Sequence, residues 1–65
     1  MDLAVKHPPT KEAREIRPGM NIKWDWLTWY HVLKAEQVGQ WVFLTLDGHP
    51  LEVCTIWYTA PMPIR

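Results

Sequence analysis

Between residues 20 and 57, apolar and polar side chains alternate in short runs, and glycine or proline separates most of them. Trp41-Val42-Phe43-Leu44-Thr45-Leu46 is the sharpest run, rich in aromatic and β-branched types and closed by Asp47-Gly48. Such a segment bounded by turn residues reads as a strand. Met20–Trp24, residues 29–36, Leu51–Trp57 and Met62–Arg65 give four more. Arg17-Pro18-Gly19-Met20 supplies a turn before the first, since proline presets φ and glycine allows φ > 0. Val38-Gly39 breaks the second. Thr10–Glu15 has room for one helical turn with Thr10 as N-cap. Its only apolar residue is Ala13, so a longer helix would have no face to bury. The pattern predicts an all-β domain over residues 13–65 behind a flexible leader, residues 1–12.

Asp47-Gly48 is the strongest short hairpin signal in the chain and implies a register. A two-residue loop sets Leu46 against His49, Thr45 against Pro50, Leu44 against Leu51, Phe43 against Glu52, Val42 against Val53 and Trp41 against Cys54. Pro50 then falls where no ladder N–H is required. One face collects Val42, Leu44, Leu46, Leu51 and Val53 as the core. The other collects Trp41, Phe43, Thr45, Glu52 and Cys54 as a partly exposed aromatic surface. In residues 29–36 neither alternating set is cleanly apolar. A bulge there would turn Trp29, Val32 and Ala35 inward.

Size and composition sharpen this picture. A chain of 65 residues buries a modest share of its surface, and its single cysteine, Cys54, allows no internal disulfide. The five tryptophans, or self-association, must make up the deficit, yet a domain this small cannot easily bury five indoles. Seven basic residues balance seven acidic ones, which argues against a generic nucleic-acid binder or a polybasic membrane contact. No run approaches the length of a membrane span, and the first residues lack signal-peptide character. A soluble, cytoplasmic protein is expected.

The order of signals resembles the small SH3-like β-barrels, particularly short single-domain forms encoded by actinobacterial phages and mobile elements. The resemblance rests on Ile16 followed by Arg17-Pro18-Gly19-Met20, on Trp29-Tyr30-His31-Val32, on Leu46-Asp47-Gly48-His49 and on a closing Pro63-Ile64-Arg65. It implies a five-stranded SH3-like barrel over residues 13–65. That fold serves peptide binding, nucleic-acid binding and assembly alike. The short aromatic stretch Trp24–Trp29 stands where peptide-binding SH3 domains carry a long acidic loop.

No catalytic or metal signature is present. Cys54 with His49 or His31 would make a thiol–imidazole pair, but no local motif supports a nucleophile, and a strand cysteine more often packs. His7, His31, His49 and Cys54 lack paired metal-ligand spacing. The three glycines occupy turn positions and form no phosphate loop. An enzyme is not expected, nor a cofactor. The aromatic residues Trp24, Trp26, Trp29, Trp41, Phe43, Trp57 and Tyr58 are the candidate binding set. As a groove they would suit an extended peptide of a protein partner. Stacking of unpaired bases is the alternative, with Arg17, Lys23 and Lys34 nearby. Self-assembly that buries the aromatics between copies is a third.

Overall fold

Two turns decide how the strands of this protein meet. A computed structural model describes residues 9–25 and 27–65. Its strands are β1 (Thr10–Glu12), β2 (Asn21–Lys23), β3 (Trp29–Val38), β4 (Trp41–Leu46), β5 (Cys54–Trp57) and β6 (Pro61–Pro63), with one 3₁₀ turn at Ala13–Glu15. The protein is nearly all β. A curled four-stranded sheet has the order β2-β3-β4-β5, and β1 with β6 forms a second, two-stranded sheet. An isolated bridge, Ile22 to Ile64, joins β2 to the chain after β6, and the Arg65 N–H donates to Asn21 O at 3.1 Å.

The tight hairpin lies between β3 and β4. Val38 pairs with Trp41, leaving Gly39-Gln40 as a two-residue loop. Gly39 takes φ +61°, and no described non-glycine residue has positive φ. Glycine with positive φ at the first central position is the II′ arrangement, whose twist matches that of paired strands.

Asp47-Gly48 behaves otherwise. Gly48 reaches φ +83° but Asp47 stays negative, so the I′ turn that a two-residue hairpin there would use does not form. The His49 N–H still donates to Leu46 O at 3.3 Å, closing a β-turn, and the Asp47 N–H continues onto His31 O of β3 at 2.9 Å. Residues 49–53 leave the sheet, and the strand resumes at Cys54. Leu44 therefore lies opposite Cys54 instead of Leu51, a shift of three residues (54 − 51). An odd shift inverts which side chains face inward. Leu51 and Val53, expected in the core, are 58% and 46% exposed, and Cys54, expected on the aromatic face, is buried.

The bulge expected within 29–36 is present. Val32 pairs with Leu46 and Lys34 with Thr45, which leaves Leu33 as the extra residue. Val32 is fully buried and Ala35 packs against the core, but Trp29 does not turn inward as expected. The shift lies after Val32, so Tyr30, opposite the buried Ile22, shares the inner face, and Trp29, opposite Lys23, lies on the other. Within the expected leader, Thr10–Glu12 is strand, paired through Lys11 with Met62. Thr10 consequently caps nothing. The turn starts at Ala13, where the Glu12 N–H donates to Glu15 Oε1 at 3.0 Å and the Ile16 N–H to Ala13 O at 3.1 Å. The last strand falls at Pro61–Pro63, one residue earlier than expected and shorter. Ala13, Ile16, Ile22, Val32, Val42, Leu44, Leu46, Cys54 and Met62 form the core.

Candidate functional site

The outer face of the curled sheet is built by register. Because Gly39-Gln40 sets Val38 against Trp41, and the shifted β5 sets Trp57 against Trp41, these three side chains form one cross-strand row. The indoles of Trp41 and Trp57 meet edge to face, with centroids 5.4 Å apart and planes at 85°. That geometry suits the ring quadrupoles. Yet Trp41 remains 49% exposed and Trp57 42%. Tyr58 adds an edge contact to Trp57 at 5.4 Å, with its own ring partly buried against the core. The next row sets Glu36 against Phe43 and Phe43 against Thr55, and the one after sets Lys34 against Thr45. One acid and one base therefore border the aromatics. The carboxylate beside Phe43 is that of Glu36, where the hairpin register had implied Glu52.

Of the seven expected binding residues, the structure brings together Trp41, Phe43, Trp57 and Tyr58. Trp24 and Trp29 lie elsewhere, and Trp26 falls outside the described residues. Trp29 begins β3 and the Trp41 row ends it, about 30 Å apart along a ten-residue strand at ~3.3 Å per residue. Trp29 sits opposite Lys23, under the Arg65 guanidinium at 4.9 Å from its ring. Trp24 is half-buried against the edge of His49, 6.3 Å between centroids. A single groove combining Trp24 and Trp29 with Trp57 or Tyr58 is not formed.

Although the expected register set Cys54 against Trp41, one of the two imidazoles that the sequence offers to Cys54 does lie beside the thiol. This is His49, which organises a second cluster. Its ring also meets Tyr30 at 5.0 Å, its Nδ1 accepts the Leu51 N–H at 3.0 Å, and Nδ1 lies 3.6 Å from Cys54 Sγ. Only the shifted register brings Cys54 to His49, and no spacing in the sequence announces that shift. Burial pushes the Cys54 thiol above its ordinary pKa. Beside it, Asp25 holds the loop before β3. Its Oδ1 accepts the N–H groups of Leu27 at 3.2 Å and Thr28 at 2.9 Å, and its Oδ2 accepts the Tyr30 hydroxyl at 3.2 Å. Desolvation disfavours the carboxylate, but these hydrogen bonds together with one from the Thr28 side chain outweigh it and lower the pKa.

A pocket of about 150 Å³ lies between the 3₁₀ turn and the β3–β4 hairpin, bordered by Arg14, Arg17, Glu36 and Gln37. Its cations are already engaged. Arg17 Nη1 donates to Arg14 O and Ile16 O, and Arg14 Nε to Glu12 Oε1 at 2.6 Å. Among the described residues no three His, Cys, Asp or Glu side chains gather as metal ligands, and no helix is long and apolar enough to cross a membrane. Comparison of the chain with known protein families, with curated proteins and with solved structures found no match.

Proposed function

We propose that this protein is a non-enzymatic interaction module that binds a protein partner through the Trp41–Trp57 pair, with Phe43 and Tyr58 at its margins. What supports this is the pair itself: two indoles fixed against each other on the outer sheet face, each with nearly half its surface left to solvent. Grouped exposed apolar side chains on a small domain mark contact sites, and tryptophan is prominent among residues that dominate binding energy. Lys34 and Glu36 nearly cancel in charge, so shape and apolar contact would select the partner. A proline-rich or otherwise extended peptide is the chemistry that such a rigid aromatic ledge fits.

The fold is inferred to be a five-stranded SH3-like barrel made by β2 to β6, supported by the Ile22–Ile64 bridge and the Arg65 N–H to Asn21 O bond, which join the first of these strands to the residues that directly follow the last. Two features support the non-enzymatic reading. The one thiol is buried with its pKa raised, the reverse of an activated nucleophile, and His49 Nδ1 already accepts a backbone N–H. An unpaired cysteine also suits a cytoplasmic setting.

Selection from a random peptide library tests the proposal. The wild-type chain is expected to enrich a common motif. Trp41→Ser and Trp57→Ser are each expected to weaken the selected peptide at least about tenfold, as loss of a hot-spot residue does. Failure to enrich any motif, or peptides that bind both folded variants unchanged, would overturn it.

A second reading, single-stranded nucleic-acid binding, is favoured by a different spot: Trp29 flanked by Lys23 and Arg65. Arg65 already covers that indole, so a stacked base would have to displace it. Titration with single-stranded DNA and RNA at two salt concentrations separates the readings, because phosphate contacts weaken steeply with salt.

A further inference from the structure

We infer that His49 is an acid-sensitive latch: its neutral ring holds residues 49–53 in their excursion from the sheet and covers Cys54, and protonation releases both. Little else ties this segment down. Among the described residues, its backbone groups make two hydrogen bonds, His49 N–H to Leu46 O at 3.3 Å and Leu51 N–H to His49 Nδ1 at 3.0 Å. Pro50, Leu51, Glu52 and Val53 are all exposed, whereas His49 is partly buried against Trp24 and Tyr30. The bond to Nδ1 is therefore what anchors the outer part of the segment.

A ring nitrogen that accepts a backbone N–H carries no proton, so the neutral imidazole holds its hydrogen on Nε2. Cys54 Sγ lies 3.6 Å from the same Nδ1, and the thiol is buried. Protonation places a hydrogen on Nδ1 and turns the acceptor into a donor. Two N–H groups then face each other where one hydrogen bond stood, and the thiol loses its acceptor as well. The latched form thus binds fewer protons than the released one. Its stability is present above the ordinary imidazole value of about 6.5 and is lost as pH falls below it.

The surroundings do not offset this. The ring faces Trp24 just after β2, Tyr30 of β3 and Cys54 of β5, all uncharged across the range in which imidazole titrates. Asp25 stands behind Tyr30, but its oxygens already take the Leu27 and Thr28 N–H groups and the Tyr30 hydroxyl. Asp47 and Glu52, close to His49 in the chain, are exposed, and among the described residues no acid lies at ion-pair distance from the ring. The bond spans two residues, the reach that asparagine uses in an Asx-turn. Histidine adds what asparagine lacks, a proton affinity near physiological pH. This inference does not rest on the ligand-binding reading, since neither Trp41 nor Trp57 has a part in it.

The test is amide hydrogen exchange on the intact chain between pH 7.5 and pH 5, corrected for the intrinsic pH dependence of exchange. His49→Asn offers the Leu51 N–H an acceptor that does not titrate, and His49→Phe keeps a ring but offers none. Wild-type protection of the Leu51 amide is expected to fall about fivefold as pH drops, the effect of losing one hydrogen bond. The Ile56 amide, opposite the buried Val42 in the β4–β5 ladder, should keep its protection. Neither variant should show that pH dependence. Cys54 should follow the latch: its rate of reaction with an aromatic disulfide, taken as a ratio to that of His49→Asn at the same pH, should rise from pH 7.5 to pH 5. Wild-type Leu51 protection that ignores pH, the same fall in His49→Asn, a flat thiol ratio, or a proton found on Nδ1 at pH 7.5 by nitrogen NMR would overturn the inference. Loss of Ile56 protection in step with Leu51 would overturn it too, because the acid response would then be general unfolding.

Discussion

Leu44 lies directly across the sheet from Cys54, and both side chains are buried in the core. That one pairing determines which residues of the β4–β5 region fill the interior and which reach solvent. It removes Leu51 and Val53 from the core, brings the thiol against His49, and sets Trp57 beside Trp41. The aromatic row is therefore a consequence of register as much as of composition.

Register is open to direct test by truncation. Leu44→Ala is expected to cost ~2–5 kcal/mol in urea denaturation, the range for a fully buried leucine. Leu51→Ala and Val53→Ala should each stay near ~0.5 kcal/mol, as exposed substitutions do. Since small domains hold only about 5–15 kcal/mol in total, the Leu44 variant will sit close to unfolding. A Leu51→Ala cost comparable to that of Leu44→Ala would place Leu51 in the core and restore the two-residue register at Asp47-Gly48.

Position 39 separates chirality from packing. Gly39 has φ +61° and open space where a Cβ would stand. L-alanine there should destabilise the domain by roughly 1–2 kcal/mol, the left-handed penalty alone. D-alanine, introduced by chemical synthesis, should stabilise it by about 0.4–1 kcal/mol, because it restricts the unfolded chain at no native cost. Equal thermal midpoints for the two epimers would show that the II′ turn is not what holds the β3–β4 hairpin.

The contrast between the two glycine turns explains what could be read from residues alone. Alternation in Trp41–Leu46 was legible, and Val42, Leu44 and Leu46 are core. So was the irregularity in β3, because no single alternation of residues 29–36 is apolar. The register of β5 was not legible. Asp47-Gly48 is composed like a hairpin tip, but a local preference yields when His49 gains an aromatic pocket between Trp24 and Tyr30 and Cys54 gains a place in the core. Gly39-Gln40, the true two-residue loop, carries a weaker signal. The exposed aromatic surface was half legible: Trp41 and Phe43 were placed on the outer face, but Trp57 joins them only through the shift. β1 escaped notice because three residues, Thr-Lys-Glu, hold no alternation to detect.

Cys54 links stability to alkaline pH. Its folded pKa is raised by burial above the ordinary thiol value of 9.0, so the unfolded chain releases the proton first. Stability from the neutral buried thiol is thus intact below pH 9 and falls as pH climbs from there through the raised folded value. The wild type should lose more stability than Cys54→Ala between pH 8 and pH 10, measured by urea denaturation at each pH. At pH 7 the thiol should react with a maleimide only as fast as the protein opens. Prompt stoichiometric labelling of the folded chain would contradict this burial.

Asp25 acts at the other end of the scale. Its folded pKa lies below the ordinary 3.8, so the hydrogen-bonded carboxylate contributes stability above that value, lost as pH falls through the lower folded one. NMR titration should find the Asp25 midpoint below 3.8, and Tyr30→Phe should move it upward by removing the hydroxyl donor at Oδ2. Asp25→Ala should loosen the 25–28 loop, visible as faster exchange of the Leu27 and Thr28 amides. An Asp25 midpoint indifferent to Tyr30→Phe would mean that the backbone donors and the Thr28 side chain set it without the Tyr30 hydroxyl.

The Trp41–Trp57 pair should prove weakly coupled in stability and strongly coupled in binding. The edge-to-face contact is worth at most ~0.5–1.5 kcal/mol in a double-mutant cycle, and solvent on both rings pulls it toward the low end. Trp41→Ala and Trp57→Ala should therefore each leave a folded domain and cost far less than Leu44→Ala. In iodide quenching, the two variants should each remove part of the accessible tryptophan emission, since these two indoles are the exposed ones among the described tryptophans. If the cycle gave a coupling near that of a buried aromatic pair, or if neither variant folded, the row would be a second core on the outer face. The proposed binding role would then lose its basis, because rings needed for stability are not free to be recognised.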